Sequence, residues 1–228
     1  MADTKTVVLV HGAWHGSWCW HKVVDGLRDR GVPVVAVDLP LTSLHDDVDA
    51  TTKALDEIDG PIVLCGHSYG GAVITEAGRH PAVEHLVYVT AFTVDEGESP
   101  SRAAPDSNAP ATELNDAIVV SEDGAWLTLA PERLPNGLYH DCSEEDTAFA
   151  LARLRPIAMS CVTTPAGVPA FRTTPSTYAV CTDDRAVHPE LQRAMAARCT
   201  SVVEWPTAHS PFFNRPDLVV DLLAERAR

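Results

Sequence analysis

What this chain lacks narrows its role before any motif is considered. No apolar run approaches the roughly 20 residues that a membrane-spanning helix needs. The opening Met1-Ala2-Asp3-Thr4-Lys5 enters a short apolar run, Thr6 to Val10, which His11-Gly12 cuts before it reaches the length of a secretory leader. The six cysteines (Cys19, Cys65, Cys142, Cys161, Cys181, Cys199) include no C-x-x-C pair and no metal-ligand spacing. A cytoplasmic protein with reduced, mostly buried thiols is therefore expected. Positive charge is scarce: 17 Lys and Arg against 32 Asp and Glu leave a formal net charge of -15. That field repels nucleic acid and anionic membranes and disfavours polyanionic substrates. There are no internal repeats and no low-complexity tract. With 228 residues, 45% of them hydrophobic, one α/β domain carrying an insertion is the natural expectation.

Against that background one stretch stands out, Cys65-Gly66-His67-Ser68-Tyr69-Gly70-Gly71. It follows the apolar run Pro61 to Leu64 and precedes a helix-like segment, Ala72 to His80, stopped by Pro81. Gly66 to Gly70 fits G-x-S-x-G, the nucleophile elbow, in the strand–turn–helix setting that motif requires. Side chains two residues to either side of the serine would collide with the neighbouring strand and helix, so glycine is needed there. The pentapeptide alone also describes a glycine-rich turn with no chemistry, and the rest of the chain must decide.

Thr6 to Val10 reads as a buried strand, followed by the small-residue loop His11-Gly12-Ala13. In G-x-S-x-G hydrolases one oxyanion donor comes from this first loop and the other from the residue after the nucleophile. By position these are the amides of Ala13 and Tyr69. His11 and His15 read as structural loop histidines bonded to backbone, because no second ligand lies at metal spacing. A helix to Arg30, a strand over 32–37, a helix over Asp46 to Ile58, the elbow strand and a strand over 83–90 give β-α-β-α-β-α order. Near-continuous apolar strands in that order imply a parallel sheet covered on both faces. Ligands bind outside the carboxyl ends of such strands, where Ala13, Asp38 and Ser68 fall.

The texture changes after Phe92. A first core part over 1–97, a proline-rich cap over 98–157 and a second core part over 158–228 are expected. Within the cap, 118–121 and 125–128 read as a hairpin around Asp123-Gly124, and Ser143 caps a short helix. Trp126, Leu127 and Leu129 are open to two readings, pocket lining or the cap's own core. Trp14, Trp18 and Tyr69 suggest an apolar pocket, with Trp126 as a further lining candidate.

A serine hydroxyl needs a base, and an imidazole needs a carboxylate to hold its tautomer. In this chain order the acid leaves the strand after the cap and the histidine leaves the last strand. That gives Ser68, Asp184 or Asp183, and His209. Asp184 is favoured because the Asp-x-x-Val run entering the next helix begins there; His188, before Pro189, reads as a helix-start residue.

Val7 to Trp20, Gly66 to Gly71, Cys181 to Gln192 and Ala208 to Pro211 resemble the small-esterase branch of the α/β-hydrolase superfamily, with its plant methylesterases, hydroxynitrile lyases and bacterial esterases. The resemblance spans the core and is loose in the cap. It implies an α/β-hydrolase fold, a mostly parallel central sheet covered by helices on both faces with an inserted cap. It also implies that Asp184 is the triad acid and that Ala13 and Tyr69 supply the oxyanion amides. The family's hydroxynitrile lyases carry a lysine just after the catalytic histidine, where this chain has Ser210, so hydrolysis is preferred over elimination. The expectation is a serine hydrolase acting on a small-to-medium hydrophobic carboxylic ester. No cofactor or metal is implied. A small-molecule ester is the expected partner, a homodimer is left open, and a lyase or a ligand-binding protein on the same fold are the alternatives.

Overall fold

Strands that are apolar along their whole length must be buried on both faces, and a parallel sheet between helical layers achieves this. The computed structural model describes residues 4–228; the opening Met1-Ala2-Asp3 lies outside the described residues. The first half runs β1 (Thr6–Val10), α1 (His21–Asp29), β2 (Val34–Val37), α2 (Leu44–Asp56), β3 (Ile62–His67), α3 (Gly70–Ala77) and β4 (Val83–Val89). Between β4 and the next strand of the same sheet lie α4 (Glu113–Ala117), β5 (Ile118–Val120), β6 (Trp126–Leu129), α5 (Leu134–Leu138), α6 (Glu144–Leu151), β7 (Ile157–Ala158) and α7 (Met159–Thr163). The sheet resumes with β8 (Ser176–Cys181), α8 (Pro189–Ala196) and β9 (Ser201–Trp205), and α9 (Pro211–Asn214) and α10 (Pro216–Arg226) close the chain.

The main sheet has strand order β2-β1-β3-β4-β8-β9, and every pairing is parallel. The chain steps one way from β1 to β2 and the other way from β2 to β3. Right-handed crossovers then place α1 and α2 on opposite faces. Packing agrees: α1 lies against α10, and α2 against α3. The reversal sits between β1 and β3, so their carboxyl ends flank the crevice where such sheets bind ligands.

Local chemistry sets the helix ends. Ser43 accepts a hydrogen bond from Asp46 N at 3.0 Å, which starts α2 at Leu44, two residues before the periodicity begins. At α8, His188 Nδ1 accepts from Glu190 N at 3.2 Å and Pro189 takes the first helical position. The expected hairpin is present as β5 and β6, with Gly124 at φ +71° in its turn. A third strand, β7, pairs with β6 through Leu127–Ile157 and Trp126–Ala158. Among the described residues no helix is long and apolar enough to cross a membrane.

Candidate active site

Only Ser68 and Tyr69 separate the end of β3 from the start of α3, and the bend is made at Ser68, whose φ is +50°. A non-glycine residue there costs about 1–3 kcal/mol and persists only when its surroundings over-determine it. Here Ser68 N donates to Val89 O at 3.3 Å, while Ser68 O accepts from Gly71 N at 2.9 Å and Phe92 N at 3.0 Å. The flanking glycines admit the close crossing. A Cβ on Gly66 would stand 2.6 Å from Gly70 O, and one on Gly70 would stand 2.6 Å from both Val10 O and His11 O. Gly12 is equally constrained, since its Cβ would come within 2.9 Å of Ser68 Cβ. The first loop and the elbow are thus pressed together.

His209 lies on the loop after β9 and is buried. Its Nδ1 is 2.8 Å from Asp184 Oδ2, and among the described residues its Nε2 has no hydrogen-bond partner. Asp184 is held on every side. Its Oδ1 accepts from Ala186 N at 2.6 Å and Val187 N at 2.9 Å, and its Oδ2 from Thr90 Oγ1 at 2.5 Å and Gln192 Nε2 at 3.0 Å. Asp183 is exposed. Of the two adjacent acids, Asp184 is the one that faces His209. His67 joins the serine and histidine segments: its Nε2–H donates to His209 O at 2.8 Å, and the two rings lie 4.7 Å apart. Burial drives the His67 pKa well below its ordinary value, so the ring is neutral.

Among the described residues neither the Ala13 nor the Tyr69 backbone N–H has an acceptor. A peptide group is planar and trans, so fixing one residue's carbonyl fixes the direction of the next residue's N–H. His11 does this for Ala13: its Nδ1–H donates to Gly12 O at 2.8 Å while its Nε2 accepts from Leu39 N at 2.9 Å. Burial lowers the His11 pKa to about 4, which keeps the one-donor, one-acceptor form that both bonds need. His15, lowered by burial to about 3, likewise donates from Nδ1 to Ala13 O at 2.7 Å and accepts from Tyr139 Oη at 2.8 Å. Both loop histidines are therefore bonded to backbone, as their positions imply. On the other side, the Tyr69 hydroxyl donates to Asp47 Oδ2 at 2.6 Å, and Asp47 Oδ1 accepts from Leu41 N at 2.7 Å.

Ser68, Ala13 and Tyr69 all line one cavity of about 430 Å³, walled by Trp14, Leu127 and Met159 among others. Among the described residues no Asp, Glu, Lys or Arg side chain lines it, and His188 is its one titratable imidazole. A larger open cleft of about 590 Å³ lies alongside, shares Ser101, Ala109 and Leu191 with it, and does not reach Ser68. The smaller one is the candidate site because the candidate nucleophile opens into it. Among the described residues no group of three or more His, Cys, Asp or Glu could hold a metal ion.

Two of the three tryptophans expected in the pocket lie elsewhere. Trp14 lines the cavity and its Nε1 donates to Leu127 O at 3.1 Å. Trp18 instead packs on His15, Phe149 and Phe213, because the short helical turn at Ser17–Trp20 rotates it away from the sheet's carboxyl edge. Trp126 is 38% exposed and outside the lining, since alternation along β6 sends Leu127 inward and its neighbour out. Thr90 and Gln192, the side-chain partners of Asp184, escape sequence reasoning. Thr90 had a visible signature, a polar residue at the carboxyl end of an apolar strand; Gln192 had none.

A model of the alpha/beta hydrolase family matches residues 7–222. Methylesterase 1 of Arabidopsis thaliana is 30% identical to the chain, with 94% of this chain and 92% of that protein covered. An alpha/beta hydrolase of Aspergillus novofumigatus is 29% identical, covering 97% and 96%. Among solved structures, a pyrethroid hydrolase from Sphingobium faniae JZ-2 superposes with a TM-score of 0.84 at 25% identity, covering 98% of this chain and 97% of that one.

Proposed function

The chain belongs to the alpha/beta hydrolase family, and from that premise we propose that it is a serine hydrolase cleaving neutral, hydrophobic carboxylic esters of small to medium size. The observation that carries this reading is the convergence of Ser68 with the two unengaged amides of Ala13 and Tyr69 on one cavity whose described lining has no Asp, Glu, Lys or Arg, beside a buried Asp184–His209 pair. Relatives named as a methylesterase and a pyrethroid hydrolase support ester cleavage in general.

His209 Nε2 takes the proton of Ser68 Oγ as the oxygen attacks the ester carbonyl carbon. The Ala13 and Tyr69 amides stabilise the resulting oxyanion, each donor being worth about 2.7–4 kcal/mol in the transition state. On collapse His209 gives its proton to the leaving alcohol, and an acyl-Ser68 remains. Water then surrenders a proton to His209 and attacks the acyl carbon, releasing the acid and regenerating the serine. Asp184 holds the tautomer that presents Nε2 and stabilises the imidazolium. The cavity favours an acyl and alcohol portion without charge, because its described lining offers a buried ion no Asp, Glu, Lys or Arg side chain to pair with.

Incubation with a fluorophosphonate followed by intact-mass measurement tests the reading. One adduct is expected on the wild type and none on Ser68→Ala, whose ester turnover should fall by about a million-fold. A folded Ser68→Ala protein that keeps wild-type turnover would sink it.

A further inference from the structure

One short stretch of the insertion, Tyr139 to Asp141, between α5 and α6, reaches both halves of the reaction centre. At one end the buried Tyr139 hydroxyl donates to His15 Nε2 at 2.8 Å, and His15 Nδ1–H in turn donates to Ala13 O at 2.7 Å. At the other end a single oxygen, Asp141 Oδ2, accepts from Ala208 N at 2.7 Å, Thr207 Oγ1 at 3.2 Å and Asn214 Nδ2 at 2.5 Å. Those three donors bracket His209 in the chain. Neither Tyr139 nor Asp141 lines the cavity.

From this we propose that Tyr139 and Asp141 are positioning residues, through which the seated insertion holds the Ala13 loop and the His209 loop in register with Ser68. The inference rests on the serine-hydrolase reading above. The physical basis is leverage. The loop from Pro206 to Ser210 lies outside any helix or strand, so its backbone needs partners from elsewhere. A carboxylate oxygen taking three donors fixes that loop more firmly than a neutral acceptor could. The Tyr139–His15–Ala13 chain does the same for the oxyanion loop, where the carbonyl of Ala13 is the fixed point.

The test compares Asp141→Ala, Asp141→Asn, Tyr139→Phe and Asp146→Ala by steady-state turnover of a neutral chromogenic ester, with urea unfolding midpoints alongside. Asp141→Ala frees the His209 loop and should lower kcat by up to about 100-fold, the cost of roughly 1 Å of misplacement, with KM near wild type. Asp141→Asn keeps a neutral oxygen in the accepting position and should recover part of that loss, landing between Asp141→Ala and the wild type. Tyr139→Phe, which keeps the ring and loses the hydroxyl, should also lower kcat rather than raise KM. Asp146→Ala cuts a different insertion-to-core bond, Lys22 Nζ to Asp146 Oδ2 at 2.8 Å, and should lower the midpoint while leaving kcat unchanged. The proposal is overturned if Asp141→Ala and Tyr139→Phe stay folded with wild-type kcat, or if Asp146→Ala lowers kcat as much as they do. Should Asp141→Ala fail to fold, Tyr139→Phe and Asn214→Ala, which removes one of the three donors, decide the matter by the same readout. Wild-type fluorophosphonate labelling in the same series separates this outcome from failure of the hydrolase reading, which would appear as no Ser68 adduct.

Discussion

Four histidines crowd the reaction centre, and His11, His15 and His67 among them are built to stay neutral. Burial lowers His11 to about 4 and His15 to about 3, and pushes His67 well down, whereas the same side chains in the unfolded chain titrate near 6.5. Between about 6.5 and about 4 the unfolded state binds protons that the native state refuses, so stability falls as pH falls through that window. At pH 5 the loss is about 2 kcal/mol each for His11 and His15, and His67 adds to it in the same direction. Asp47, whose pKa burial raises, acts in the opposite sense, but it is one carboxyl against three imidazoles. Urea midpoints should therefore drop clearly from pH 7.5 to pH 5; a flat or rising profile on acidification contradicts this account. At this scale the sequence was legible where a residue's place at a strand end sufficed, as for Ser68 and His209. It was ambiguous where neighbours compete. Asp183 and Asp184 differ by one position, and only the packing of Ala186, Val187, Thr90 and Gln192 shows which carboxylate turns inward. Trp126 was misplaced for a related reason: a four-residue strand carries too little alternation to say which face is the inner one.

The decisive contact between elements is the crossing of β1 and α3 at Gly70. A methyl group there would stand 2.6 Å from two backbone carbonyl oxygens, of Val10 and His11, and neither can swing aside as a side-chain tip would. Gly70→Ala must push the start of α3 away from the end of β1, which moves the adjacent Tyr69 amide relative to Ala13. We expect a loss of about 1–3 kcal/mol in stability from overpacking. Ester turnover should fall on the order of 100-fold, because the oxyanion amides no longer converge. Denaturation and kinetics on one preparation check both, and wild-type values for both would refute the crossing argument. Core elements were readable because β1, β3, β4 and β8 are each apolar over several consecutive residues and glycine or proline punctuates them. The insertion was less so. β7 has two residues and α5 and α7 five each, too short for any periodicity to register, and they are stabilised by what they pack on.

At the scale of the molecule, an excess of fifteen negative charges surrounds a cavity whose lining includes no Asp, Glu, Lys or Arg. The two features act at different ranges: the lining decides what can be held, and the overall field decides what arrives. On the neighbouring cleft Arg102 is a local cation and Glu98 is paired with Arg198, its Oε2 lying 2.6 Å from Nη1, so that cleft adds no net negative charge of its own. The negative field that a substrate meets is thus the long-range one, set by the net charge of -15 and not by the cleft's own side chains. An ester carrying a remote carboxylate should be repelled at low ionic strength, where the screening length is about 30 Å, and less so at about 8 Å near physiological salt. Its kcat/KM should rise several-fold across that range, while that of an uncharged ester of the same size stays level. The neutral ester should remain the better substrate even at high salt, because screening outside does nothing for a carboxylate desolvated against Trp14, Leu127 and Met159. A pair of matched esters measured over a salt series separates the two effects. Equal salt responses would show that the net charge has no part in selection, and parity at high salt would show that the cavity's neutrality has none.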